Sequence, residues 1–298
     1  MKPRLNSHWA LASLSLPMLL SSLGTSIANI ALPTLTDAFS ASFQGVQWVV
    51  LAYLLAITTM IVSVGRLGDI VGRRRLLLAG IVMFTAASLL CGVAPSLWML
   101  ITARAAQGLG AAVMMALSIA FVGETVSTGK TGAAMGLLGT MSAIGTALGP
   151  TVGGVLIAWL SWRAIFLINV PLGIVALVVA WRHLPSDQKT DATASTSFDA
   201  VGTGLLALSL AAFALAMTAS RGSFRPANAE LLLISVLGMW LFVRAEARTA
   251  SPLIRLAMFG DPALSASLAM SAIVSTVMMA TLVVGPFYLA GALGLRPA

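Results

Sequence analysis

The chain has 298 residues, 59% of them hydrophobic and 9% charged, with a formal net charge of +8 and a mean hydropathy of +0.99. A soluble domain carries about 45–50% apolar and about 25% charged residues, so a water-solvated surface is excluded. The positive balance does not call for a nucleic-acid partner, because Lys and Arg collect in the cytoplasmic loops of membrane proteins for topological reasons.

Apolar runs of roughly 20 residues recur along the chain, each long enough to cross about 30 Å of hydrocarbon as a helix. The run LLLAGIVMFTAASLL, from Leu76 to Leu90, is apolar on every face, which fits a helix and not the alternating strands of a barrel. The expected fold is an all-α, polytopic membrane protein. Lys2 and Arg4 precede an apolar stretch from Trp9 to Leu35 that is too long for a secretory signal core, so it reads as a first, retained helix at 9–33. Further spans are expected at 46–66, 76–94, 97–122, 133–158, 163–182, 200–219, 229–248 and 264–290, about nine in all.

With the N-terminus inside, Lys2, Arg4, Arg66, Arg73, Arg74, Arg75, Lys130, Arg182, Lys189, Arg244, Arg248 and Arg255 fall on the cytoplasmic side. Arg163, Arg221, Arg225 and Arg296 fall outside, and twelve against four satisfies the positive-inside tendency. The polar segment PSDQKTDATASTSFD, Pro185 to Asp199, has no apolar run and reads as a partly flexible cytoplasmic linker. The expected organisation is an N-terminal six-helix bundle at 1–184, the linker at 185–199, two linking transmembrane helices at 200–250 and the start of a C-terminal bundle at 251–298. The sequence stops at GLRPA just after the ninth span, so a truncated chain or a fragment is expected.

Three stretches carry chemistry. GRLGDIVGRRRLL, Gly65 to Leu77, gathers Arg66, Asp69, Arg73, Arg74 and Arg75 where two helices reverse direction. Gly65, Gly68 and Gly72 supply close approach and permissive dihedrals there. Asp69 can meet the arginines of its own turn or the partly positive N-terminus of a neighbouring helix, a contact made in one conformation and broken in another. The plainer reading gives the arginines a topological role alone.

ITARAAQGLGAA places Arg104 on the order of 10 Å inside the fourth span. A buried arginine costs at least about 2.5–3.5 kcal/mol on insertion scales, so it faces a protein interior or wet cavity unless it snorkels to the outer interface. Gln107 lies one turn away on the same face. GTALGPTVGG sets Gly145, Gly149 and Gly153 on one helix face, a groove for another helix, with Pro150 permitting a bend and Gly154 completing the string.

These stretches resemble the major facilitator superfamily. Gly65, Leu67, Asp69, Gly72, Arg73 and Arg74 match its signature G-x-L-x-D-x-x-G-R-[RK]-[RK] in order. The resemblance implies that Asp69 and Arg73 latch two bundles on the cytoplasmic side and steady the outward-facing state. The pattern R-x-x-Q-G-x-G resembles the helix 4 motif, which implies that Arg104 takes part in proton coupling with Gln107 in support. G-x-x-x-G-P-x-x-G-G resembles the helix 5 motif of exporting antiporters. TSIANIALPTL (Thr25 to Leu35), WRAIFLINVPLG (Trp162 to Gly173) and SPLIRLAMFGDPAL (Ser251 to Leu264) resemble segments of the fourteen-helix drug:proton antiporters.

The implied function is secondary active export of small lipophilic or cationic molecules by alternating access. Protons are the implied coupling partner, accessory export proteins possible partners, and the bilayer of a bacterial inner membrane the implied location. One departure matters. Many members carry an Asp in helix 1 where this chain has Gly24, and none of its nine acidic residues is expected deep in a span. Coupling then falls to Glu124 near a helix end, to an acid in a region beyond this sequence, or to something other than protons.

No enzyme is expected. His8 and His183 lack neighbours at metal-ligand spacing, Cys91 alone can form neither an internal disulfide nor a thiolate cluster, and no phosphate-cradling loop or nucleophile–base set is present. No cofactor follows from any of this. Fifteen Met residues with Trp and Phe suit an adaptable apolar cavity, or simply lipid and core. Three other readings stay open: a truncated, non-transporting membrane protein or assembly partner, a metabolite importer, and a membrane-embedded enzyme, which would need an intramembrane acid or His cluster.

Overall fold

In hydrocarbon every backbone N–H and C=O must find its partner within the protein, and an isolated apolar segment achieves this only by coiling. The computed structural model of the chain describes residues 7–126, 128–185, 187, 199–218, 226–249 and 256–292, and no strand occurs among them. The helices are α1 (Ser7–Ile30), α2 (Leu32–Phe39), α3 (Phe43–Val71), α4 (Arg73–Gly92), α5 (Leu97–Thr125), α6 (Thr131–Trp159), α7 (Ala164–Leu167), α8 (Asn169–His183), α9 (Ala200–Thr218), α10 (Pro226–Glu246) and α11 (Pro262–Ala292). Eight stretches among the described residues are long and apolar enough to cross a membrane, α7 and α8 together making one of them.

The boundaries have local causes. Ser42 accepts the Gly45 N–H at 3.2 Å and opens α3, and Ser96 accepts the Met99 N–H at 3.3 Å and opens α5. Each such cap is worth about 1 kcal/mol. The first expected span is interrupted at Ala31, because Pro33, without an N–H to donate, suits the first turn of a new helix. The sixth is interrupted at Ile168, where Pro171 has no N–H for the Leu167 carbonyl. The largest correction concerns the charged turn. Helix α3 runs on through Arg66 and Asp69, Arg73 to Arg75 form the first turn of α4, and Gly72 alone separates the two helices.

Two compact units divide at Leu253 and Ile254. In the first, α1 and α5 are innermost, with 72% and 61% of their spanning windows buried against 17% for α6 and α10. Helix α1 packs on α6, α5 and α8, while α5 packs on α3 and α4. The hairpin of α9 and α10 is tied by Asn228 Nδ2 donating to the Ala216 carbonyl, and it meets α3 through the hydroxyls of Ser63 and Thr203, 2.7 Å apart. In the second unit, Asp261 Oδ1 accepts the Ala263 N–H at 2.9 Å and caps α11, which covers the ninth expected span. Most of the expected linker lies outside the described residues. Asp187 and Asp199 are described, and Asp199 caps α9 by accepting the Gly202 N–H at 2.8 Å.

Candidate functional site

Arg104 is fully buried, as is Gln107. The guanidinium therefore does not snorkel outward. Its Nε donates to the Val49 carbonyl at 2.9 Å and its Nη1 to Gln107 Oε1 at 2.6 Å. Gln107 Nε2 in turn donates to Ser88 Oγ at 2.7 Å, and Ser88 donates to the Phe84 carbonyl at 2.7 Å. The Tyr53 ring lies 4.1 Å from Arg104 Cζ and the Phe166 ring 5.7 Å. Tyr53 is anchored by its hydroxyl on the Ser21 carbonyl at 2.7 Å. One charge thus joins α1, α3, α4, α5 and α7.

Every one of these partners is neutral, and Arg104 Nη2 has no partner among the described residues. A cation held by dipoles and ring faces gains about 2 kcal/mol from a desolvated aromatic contact and about 1.5–3 kcal/mol from each charge-assisted hydrogen bond. These gains work against a desolvation cost of several kcal/mol per ion. The close packing depends on small residues: a Cβ at Gly108 would lie 2.5 Å from the Tyr53 carbonyl oxygen, and one at Gly110 2.7 Å from the Phe84 nitrogen. Gly24 faces the same cluster, since a Cβ there would lie 3.2 Å from the Tyr53 hydroxyl. Sequence reasoning missed Tyr53, Ser88 and Phe166, which come from other helices.

At the other end of α3, Arg73 donates to Asp69 Oδ1 through Nε at 3.1 Å and Nη2 at 2.9 Å. Their side chains are 33% and 47% exposed, so this pair is solvated and is worth about 0–1 kcal/mol. The motif's glycines divide their roles. Gly65 has open space around it, a Cβ at Gly68 would lie 3.0 Å from Leu117 Cδ2, and Gly72 has φ of 101°, a conformation that side chains resist. Arg74 and Arg75 donate their backbone N–H groups to the carboxylate of Asp187, at 2.8 and 3.2 Å.

Gly145, Gly149 and Gly153 form the face on which α1 packs. A Cβ at Gly145 would lie 2.5 Å from the Leu19 carbonyl oxygen, one at Gly149 would overlap Ser26, and one at Gly153 would lie 2.7 Å from Ile30. Across this seam Ser26 Oγ donates to the Gly145 carbonyl at 3.1 Å, and the hydroxyls of Ser22 and Ser142 lie 2.6 Å apart. Gly154 faces open space, and Pro150 lies within α6. The Glu124 and His8 side chains lie outside the described residues. His183 stacks on Trp9, with ring centroids 5.2 Å apart.

Repeated membrane-length helices, glycine-seamed and built around a buried charge, define a polytopic membrane protein. The family model of the Major Facilitator Superfamily matches residues 14–297, and the chain belongs to that family. It is 35% identical over 246 residues to Multidrug resistance protein Stp of Mycobacterium tuberculosis, covering 82% of this chain and 45% of that protein. It is 36% identical over 198 residues to Riboflavin transporter RibZ of Clostridioides difficile, covering 66% of this chain and 43% of that one. The chain spans about half the length of the curated relatives it matches. A crystal structure of a bacterial homolog to the human lysosomal transporter Spinster, inward-facing and occupied, has a TM-score of 0.55 at 18% identity, over 83% of this chain and 63% of that one. That likeness concerns the fold.

Proposed function

We propose that the chain serves secondary active export of small lipophilic or cationic molecules, as part of a fourteen-helix drug:proton antiporter that works by alternating access. The observation that carries the reading is Arg104, because a fully buried guanidinium in a membrane protein marks a functional site by default and this one ties five helices together. In this reading Arg104 contributes to coupling with Gln107 in support. The Gly145 to Gly154 face, on which α1 packs, is the sliding or bending surface, and Asp69 with Arg73 latches the cytoplasmic gate. The N-terminus is inside, and residues 1–184 form the first bundle. The multidrug-resistance name of the Stp relative supports drug export, and the riboflavin-transporter name of the RibZ relative supports a second reading, import of a metabolite.

The test is efflux from proteoliposomes under an imposed pH gradient, comparing the full chain with Arg104→Ala and Asp69→Asn. The expected outcome is gradient-dependent efflux that falls in both variants. Rates unchanged by the substitutions would remove the residue roles, and indifference to the gradient would remove proton coupling.

A further inference from the structure

The first turn of α4 poses an electrostatic problem. Three arginines, Arg73 to Arg75, stand at the positive end of the helix macrodipole, where anions are favoured and cations are not. The residue at the cap position, Gly72, has no side chain to accept the exposed N–H groups, and its φ of 101° is one that capping residues with side chains resist. Asp69, the nearest acid in sequence, is occupied with Arg73.

The missing cap arrives from 112 and 113 positions away in the chain. Asp187 gives one carboxylate oxygen to the Arg74 N–H at 2.8 Å and the other to the Arg75 N–H at 3.2 Å. The connection is reciprocal, since Arg74 Nη2 donates at 2.5 Å to the carbonyl of Trp181, in the last turn of α8. An acid beyond α8 therefore satisfies the start of α4, and a guanidinium from α4 satisfies the end of α8. The glycine is required for this too: a Cβ at Gly72 would lie 2.6 Å from Asp187 Oδ2.

We propose that Asp187 is a positioning residue of the gate, a fixed anchor that holds the α3–α4 joint against α8 while the solvated Asp69–Arg73 pair is the part that exchanges partners. The inference rests on the gate reading given above. The division follows from the donors, mobile side-chain groups at one site and fixed backbone amides at the other. Asp69 and Arg73 meet in water through one carboxylate oxygen and come apart at little cost. Asp187 uses both oxygens on backbone amides, the Arg74 bond partly buried and the Arg75 bond exposed, and has no side chain at position 72 to displace it.

The experiment uses the full chain in lipid nanodiscs and liposomes, with Asp187→Ala and Asp187→Asn. Amide hydrogen exchange at residues 74 and 75 should accelerate about tenfold or more in Asp187→Ala, as loss of a charge-assisted bond requires, and less in Asp187→Asn, which keeps one acceptor. Spin labels at Gly65→Cys and Trp181→Cys, two exposed positions, should give a narrow distance distribution that broadens in Asp187→Ala. In ethidium efflux the maximal rate should fall several-fold with the half-saturating concentration unchanged, and Asp187→Asn should recover part of it. Unchanged exchange or an unbroadened distribution would overturn the anchor. Raised exchange with an unchanged maximal rate, or a shift in half-saturation of equal size, would overturn its role at the gate. Should the unsubstituted chain fail to move ethidium, the export reading falls, while exchange and label distances still decide whether Asp187 positions the joint.

Discussion

The seam between α1 and α6 makes a sharp prediction, because glycines of one string stand in opposite surroundings. A Cβ at Gly145 would lie 2.5 Å from the Leu19 carbonyl oxygen and 3.0 Å from the Leu23 nitrogen, both backbone atoms that cannot rotate aside. Restoring ordinary contact moves α1 outward by about 1 Å. That displacement breaks the 3.1 Å bond from Ser26 to the Gly145 carbonyl and the 2.6 Å contact between Ser22 and Ser142. Each lost bond costs about 0.5–1.5 kcal/mol and the overpacking about 1–3 kcal/mol, against a helix-propensity gain of about 1 kcal/mol. Gly145→Ala is thus expected to cost about 3 kcal/mol net, or on the order of 10 °C in the unfolding midpoint at about 2–4 °C per kcal/mol. Gly154, further along the same helix, has nothing within 4 Å, so Gly154→Ala keeps only the propensity gain and melts at or above the parent. Tryptophan-fluorescence melts of the purified full chain and both variants, in one detergent, measure the difference. Two variants melting together would refute the packing argument.

Other substitutions have equally definite outcomes. Arg104→Lys keeps the charge but replaces a fork that reaches both Val49 and Gln107 with a single ammonium, so efflux is expected to fall about tenfold while the fold survives, as proteoliposome flux beside a thermal melt would record. Asp69→Asn breaks an exposed pair and should change stability by less than about 1 kcal/mol while lowering efflux; a large drop in melting temperature with normal flux would reverse its assignment. Gly72→Ala forces a side chain into positive φ, which costs about 1–2 kcal/mol, and drives it against Asp187, whereas Gly65→Ala meets open space. The first should melt well below the second.

Much of the architecture was legible because bilayer thickness imposes a length on every crossing, and a run such as Leu76 to Leu90 can meet it only as a helix. The glycine face was legible too, since a spacing of four residues fixes one side of a helix whatever packs there. That its occupant is α1 was not, because periodicity on one element carries no address for another. The charged turn misled in extent: arginines look like loop residues, yet here they are the opening turn of α4, and the positive φ of Gly72 is the only break. Arg104 was placed by sequence at a depth from which it could turn either way. Val49, Tyr53 and Ser88 decide the direction, and they belong to other helices. Asp187 was hidden in a polar stretch that reads as linker, and its partners lie more than a hundred positions away.

The hydroxyl contact between Ser63 and Thr203 ties the α9–α10 hairpin to α3, the helix that carries Gly65 and Asp69. Most of that hairpin's surface is apolar and uncovered, including Val236, Leu237, Trp240 and Leu241. In the export cycle proposed above, a tilt of α3 would carry this hairpin with it as an oar through the surrounding acyl chains, and viscous drag from the lipid would load the moving part directly. Turnover would then depend on membrane fluidity as well as on the protein, slowing in stiff, ordered bilayers even where substrate and driving force are unchanged.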